Sequence, residues 1–294
     1  DPEVRRFWAL AVPAVISGGI TQINLFIGTI IASGAASAIS YLYYADRLYQ
    51  LPLGIIGIAI GTVLLPVLAG HLKSGRDKEA RDVQEQSLLV SMLLSMPAAT
   101  ALIALAVPIV RVLFERGEFG AIATTETAAT LVAFATGLPA FVLIRVLQPA
   151  FFAREDTVTP TVFALISAVV NIALSLLLFP SLQHVAIAIA TSVSAWGNAL
   201  MLATWLARRG HFRPTRAEAT KHMLILVISL GMALLLTGLA WPLAGVFAPG
   251  GSLLVQLAAL AALCLVGFVG YFAAVHFTRV QPLGMLLRRM RRVG

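Results

Sequence analysis

The sequence predicts an all-α fold, a polytopic membrane helical bundle with about eight transmembrane helices. Three observations predict it. Hydrophobic residues make up 59% of the 294 and charged residues only 12%, with a mean hydropathy of +0.92; soluble domains carry roughly a quarter charged residues. Apolar stretches recur along the whole chain at lengths that match the about 20 residues a spanning helix needs. The basic residues gather in alternate connections, as they do in multi-pass membrane proteins.

Polar, Pro-bearing or Gly-bearing breaks place the helices at 8–33, 37–70, 84–114, 125–153, 160–179, 185–207, 220–247 and 252–277. The first carries Ser17, Thr21, Asn24 and Gly28 at helical spacing. At 1.5 Å per residue the second would rise about 51 Å, against a hydrocarbon core of about 30 Å. It must tilt, kink or project, and Pro52 is the expected kink site because it lacks an N–H and crowds the preceding turn. The third, expected as one stretch, is also longer than one crossing requires. Gly57 and Gly61 form a GxxxG pattern, read as helix packing. The fifth helix carries Ser167, Asn171 and Ser175, and the sixth Thr191, Ser194 and Asn198. Two readings of these polar rows stand: interhelical hydrogen bonding, or oxygen ligands for Na⁺ from two or three helices, with no carboxylate among them. The single cysteine, Cys264, lies inside the last apolar run and excludes a disulfide framework and a thiolate metal site. The chain opens on Asp1, and its first apolar stretch is too long for a signal peptide, so a fragment lacking its upstream part is expected.

The net charge of +8 and pI of about 10.4 would suggest nucleic acid in a soluble protein. Their location gives another cause. On one side fall Arg5, Arg6, Lys73, Arg76, Lys78, Arg81, Arg154, Arg208, Arg209, Arg213, Arg216 and Lys221, with Arg279, Arg288, Arg289, Arg291 and Arg292 in the tail; these are 17 of the 21 basic residues. Only Arg111 and Arg116 border the opposite side, at the 115–124 connection. The split predicts a multi-pass membrane protein with both ends of the chain cytoplasmic and no nucleic-acid partner. Topology explains the Arg-rich tail, and binding to anionic lipid headgroups is the other reading of it.

Arg47 and Arg145 remain, within predicted spans, together with the embedded Asp46. A charge at mid-membrane costs about 2.5–3.5 kcal/mol on insertion scales, so each needs a reason. Arg47 lies roughly 15 Å along its helix, on a stripe formed by Tyr43, Arg47, Gln50 and Gly54. Such a stripe suits the lining of a hydrated cavity, and a guanidinium fork matches phosphate oxygens. The alternative is an ion pair with Asp46, although adjacent helical residues point about 100° apart; Asp46 then pairs with another helix or tunes the cavity. Arg145, some 12 Å from the end of its helix, either snorkels to the interface or faces the same cavity.

Catalytic constellations are lacking. His71, His184, His211, His222 and His276 sit near helix ends without metal-ligand spacing, and there is no paired-carboxylate motif, phosphate-cradling loop or nucleophile elbow. Transport, not enzymatic turnover, is the expectation.

The run from Gly18 to Gly70, and within it the block YYADRLYQLPLGIIGIAIGTVLLP, resembles the MurJ (MviN) family of lipid II flippases. Further matches lie in LFERGEFGA (113–121), VLQPAFFAREDTVTPT (146–161) and the region from Asn171 to Thr191. The resemblance implies the seventh to fourteenth helices of a MOP-type flippase. Residues 1–210 would form the second six-helix lobe, 211–278 two additional helices with a groove for the lipid tail, and 279–294 a basic cytoplasmic tail. It implies transport of lipid II, the undecaprenyl-pyrophosphate-linked muropeptide, to the periplasmic leaflet by alternating access. The partners implied are lipid II, membrane lipids and the missing N-terminal lobe. The family's essential arginine falls on Arg47, and Arg145 occupies a position that is basic in relatives. Gln50 stands where some relatives have an acidic residue. The positions matching a family Na⁺ site are Asn24, Asn171, Ser175 and Thr191, with Ile187 as a backbone ligand; two carboxylates of that pattern are neutral here. Coupling to the membrane potential alone is the alternative. A polysaccharide-lipid flippase of the same superfamily and a non-transporting scaffold of cell-wall synthesis are the competing functions.

Overall fold

The computed structural model describes residues 19–20, 22–212, 215–248 and 250–278, without the side chains of 58, 59 and 62. Arg5, Arg6, Ser17, Thr21, Arg213 and the tail 279–294 lie outside the described residues. Among those described, every regular element is helical: α1 (Gln22–Ala32), α2 (Ala38–Lys73), α3 (Asp77–Ala104), α4 (Ala106–Phe114), α5 (Ala121–Phe152), α6 (Val158–Leu182), α7 (His184–Arg208), α8 (Arg216–Ala240) and α9 (Leu253–Phe277). Six of them, α3 and α5 to α9, are long and apolar enough to cross a membrane. The all-α bundle is as expected from sequence, with three local differences.

The helix α2 is continuous through Pro52 and Pro66. The third predicted helix is two. It begins early, with Asp77 and Glu79 in its first turn, where acidic side chains complement the helix dipole. It then breaks at Leu105 (φ −110°, ψ 16°). Pro108 explains the break: it has no N–H to offer the Ala104 carbonyl, and its ring crowds that group. The span predicted to end at 247 stops at Ala240, and turns occupy 241–247. A capping box between Thr215 and Glu218 fixes the start of the same helix.

The central helix is α5, which packs against α2, α3, α4 and α7; α6 lies outside on α7. The most apolar stretch of α5 is 67% buried and that of α6 only 11%, so α6 presents its apolar surface outward, as a lipid-facing span does. The α5–α7 contact is close because position 137 is glycine. A Cβ there would sit 2.8 Å from Ser192 Cα. The Ser192 hydroxyl donates to the Ala133 carbonyl at 2.7 Å and the Trp196 indole N–H to the Thr136 carbonyl at 3.0 Å.

The pair α8 and α9 docks on α3 and α4 through an apolar cluster that includes Leu93, Ile225, Leu236, Leu263 and Tyr271. At its heart the buried Tyr271 hydroxyl donates to the Leu93 carbonyl at 2.9 Å. Pro97, four residues on, has no N–H to fill that carbonyl, so the tyrosine takes the place of the missing donor.

The connections collect at two ends. At one, Arg81 donates to the Gly210 carbonyl at 3.2 Å, and His211 lies near Arg154, Asp77, Arg209 and Arg81; burial first, then the Arg154 charge, pushes its imidazole below the usual range. At the other, the α4–α5 connection meets the 247–256 region. The described basic connections thus share one end, with Arg111 and Arg116 at the opposite one.

Candidate functional site

One face of α2 builds the core and the other stays open. Ala45, Leu48, Tyr49, Leu53 and Ile56 are buried in the cluster that holds Leu131, Phe134 and Leu138 of α5, and Tyr49 stacks on Phe134 at 5.5 Å between ring centroids. Helical periodicity turns Tyr43, Arg47 and Gln50 away from that core, and all three are exposed. The predicted polar stripe therefore exists as an open surface. Arg47 Nη2 donates to the Tyr43 hydroxyl at 3.1 Å, and its guanidinium lies 4.8 Å from the Tyr43 ring centroid. The half-buried Asp46 accepts instead from the Gln50 amide. The two neighbours thus point to separate partners, Tyr43 for Arg47 and Gln50 for Asp46. A planar cation held on an aromatic face, with only part of its donor set engaged, can receive an oxyanion.

Arg145 reaches the flank of this stripe from α5. It is exposed, and its side chain passes so close to Gly57 that a Cβ at that position would overlap Cδ and lie 3.1 Å from Nε. The GxxxG pattern thus admits an arginine at its first glycine, and at its second a Cβ would stand 4.0 Å from the Arg145 carbonyl. Gly57 lies ten residues beyond Arg47, about 15 Å along the axis and roughly 80° around it at 3.6 residues per turn.

A second polar group forms where α1, α6 and α7 meet. The buried Asn171 donates through Nδ2 to the Thr191 hydroxyl at 3.0 Å and to Ser194 at 3.3 Å, and its Oδ1 accepts from Ser175 at 3.5 Å. Thr191 donates to the Ile187 carbonyl at 2.8 Å. Gly28 of α1 lies against Ile187, its Cβ position 3.8 Å from Cγ2, and Asn24 stands one turn away with a buried Oδ1 that has no hydrogen-bond partner. Four of the five sequence-predicted ligand positions are joined by hydrogen bonds. The donor set is all oxygen, which suits a hard cation, and the orphaned Asn24 Oδ1 fits such a role. Among the described residues no group of three or more His, Cys, Asp or Glu side chains is placed to hold a metal.

Sequence reasoning set His184 aside as a helix-end residue. It is in fact buried, with Nε2 3.3 Å from Glu126 Oε2 and its ring 5.0 Å from that of Tyr41. Its partners come from α2 and α5, and no local pattern around position 184 announces them.

An apolar helical bundle with an arginine-bearing polar stripe on the open face of one helix is the architecture of a multi-pass membrane protein. Solved transporters share the fold: a lipid II flippase MurJ in an inward closed conformation aligns with TM-score 0.74 at 23% identity, covering 94% of this chain and 55% of that one. An outward-facing multidrug resistance MATE family transporter of the MOP superfamily aligns at 0.61 with 16% identity, over 90% of this chain and 65% of that one. The family model for lipid II flippase MurJ matches residues 1–276, and the chain belongs to that family. It is 45% identical over 291 residues to a probable lipid II flippase MurJ of Rhizobium tropici, covering 99% of this chain and 55% of the relative. It is 33% identical over 294 residues to the lipid II flippase MurJ of Burkholderia cenocepacia, with the same coverages. The chain spans about half the length of these curated relatives.

Proposed function

We propose that this chain is the substrate-handling half of a lipid II flippase of the inner membrane. It moves the undecaprenyl-pyrophosphate-linked muropeptide from the cytoplasmic to the periplasmic leaflet by alternating access. The carrying observation is the exposed Arg47 on the open face of α2, seated on Tyr43. In this proposal its fork receives pyrophosphate oxygens, Arg145 adds a second cation at the stripe's flank, and Gln50 holds Asp46 aside. The headgroup needs such a cationic path because moving charge through hydrocarbon is expensive. The polyprenyl tail never leaves apolar surroundings and needs none.

Residues 1–210 would act as one lobe facing an N-terminal lobe, 211–278 as a tail-binding helix pair and 279–294 as a basic cytoplasmic tail. The positive-inside pattern supports cytoplasmic placement of both ends. A weak Na⁺ site at Asn24, Asn171, Ser175, Thr191 and the Ile187 carbonyl is supported by the unpartnered Asn24 Oδ1. With no carboxylate there, the membrane potential is the stronger drive, about 2.3 kcal/mol per charge per 100 mV. The family match and the identity to named flippases favour this function over a polysaccharide-lipid flippase or a scaffold.

The test is Arg47→Ala in the full-length protein. Lipid II exposed at the periplasmic face should fall to background while insertion and thermal melting stay unchanged. Normal exposure would sink the proposal.

A further inference from the structure

The two basic residues that depart from the positive-inside pattern line the same cavity. Arg111 and Arg116, from the end of α4 and the turn after it, face Gly250, Gly251, Leu253 and Gln256 across a space of about 310 Å³. That volume is at the lower end of small-molecule pockets, about 300–1,000 Å³. Basic residues at this end of the bundle are scarce among those described, so the convergence of two guanidiniums from one segment on a second segment over 130 residues away calls for a cause.

The local structure holds these cations without cancelling them. Arg111 is half-buried, donates through Nε to Glu115 at 2.9 Å and reaches the Phe247 carbonyl with Nη1 at 3.3 Å. The Glu115 carboxylate also accepts from the Thr124 hydroxyl at 2.6 Å. Arg116 is exposed and, among the described residues, bonds only the Val112 and Leu113 carbonyls at the end of α4, at 2.9 and 3.1 Å. Two guanidiniums against one carboxylate leave the cavity net cationic. The first turn of α9 forms its far wall with no side-chain cap at Ser252, and a helix start adds partial positive charge. Gly250, at φ +84°, turns the chain into that wall.

We propose that this cavity is a receiving site for the phosphate groups of a pyrophosphate-bearing polyprenyl lipid, held by Arg111 and Arg116 at the end of the bundle opposite the basic connections. The inference deepens the flippase reading and rests on it for the identity of the lipid. The cavity accepts the anion after it leaves Arg47. The start of α9 beside it offers an apolar helix along which the tail can lie.

The experiment is hydrogen–deuterium exchange on the purified full-length protein with farnesyl pyrophosphate, farnesol or inorganic pyrophosphate as probes. Farnesyl pyrophosphate should protect residues 109–120 and 250–258, and farnesol should not. Arg116→Gln, which removes an exposed side chain bonded only to carbonyls of its own helix end, should raise the half-saturating concentration about tenfold. Arg111→Gln combined with Arg116→Gln should abolish protection. Lack of protection in the unaltered protein, or protection indifferent to Arg116→Gln, would overturn the proposal. So would equal protection by inorganic pyrophosphate, which would assign the cavity to a free anion. Arg47→Ala should leave this protection intact. Normal flipping in that variant with protection retained would fail the flippase reading alone, and absent protection with Arg47-dependent flipping would fail this inference alone.

Discussion

The side chain of Arg145 lies across Gly57 of the neighbouring helix at a distance that no other residue at position 57 would permit. The contact is with the flexible part of an arginine, not with backbone. Gly57→Ala should therefore displace the guanidinium without unseating the helices. Thermal melting in detergent should move by less than the equivalent of about 1 kcal/mol, helped by alanine's better helix propensity. On the proposed function, flipping by the full-length protein should fall severalfold, to the level of Arg145→Ala, and the double variant should be no worse than either single one. A double variant that loses activity multiplicatively would separate Gly57 from Arg145.

At Gly137 the outcome differs, because the neighbour is the Ser192 backbone. Gly137→Ala must push α5 and α7 apart and loosen the bonds from Ser192 and Trp196 to α5 carbonyls. A loss of about 1–3 kcal/mol is expected, as for other overpacked cores. Melting of the purified protein measures it, and an unchanged midpoint would contradict the packing described.

Tyr271 and Pro97 should be energetically coupled. Tyr271→Phe leaves the Leu93 carbonyl buried without a donor, a cost of about 1–3 kcal/mol. Pro97→Ala restores an N–H at the position that naturally fills that carbonyl. In the Pro97→Ala background Tyr271→Phe should therefore cost less than in the unaltered protein. A double-mutant cycle read by denaturation gives the difference, and strict additivity would remove the link.

Acid should loosen the α4–α5 connection. Burial alone would raise the Glu115 carboxyl, but the Thr124 hydroxyl and Arg111 outweigh it and hold the group below its usual range. A carboxyl lowered in the fold contributes stability that is fully present above its unfolded value, about 4.3 for Glu, and is lost as pH falls through the folded value. Rate-corrected hydrogen exchange over 111–124 should hold steady from pH 7 to about 5 and rise below the usual Glu range. Thr124→Val should shift that rise to higher pH.

Much of this was visible in one dimension. Hydrophobic length located the spans, and subtraction of the basic connections led to Arg47, whose neighbours at helical spacing share its exposed face. The polar rows at Asn171 and Thr191 also meet. The break at Leu105 was missed because Pro108 sits in a stretch apolar throughout, where hydropathy is continuous although the backbone is not. The burial of His184 was missed because its partners, Glu126 and Tyr41, belong to helices distant in sequence. Arg111 and Arg116 were assigned to an end of the bundle, but their meeting with the start of α9 depends on how α9 docks on α4, which periodicity does not report.

The hydroxyl of Tyr271 also acts as a register mark. Along a regular helix each carbonyl is already claimed by the amide one turn ahead, so a helix sliding past it finds no preferred stop. The proline at position 97 vacates a single carbonyl on α3, and α9 has a tyrosine at the matching height. A shift of α9 by one turn, about 5.4 Å, would strand both groups, so the height at which the α8–α9 pair sits against the rest of the bundle is indexed by one oxygen atom.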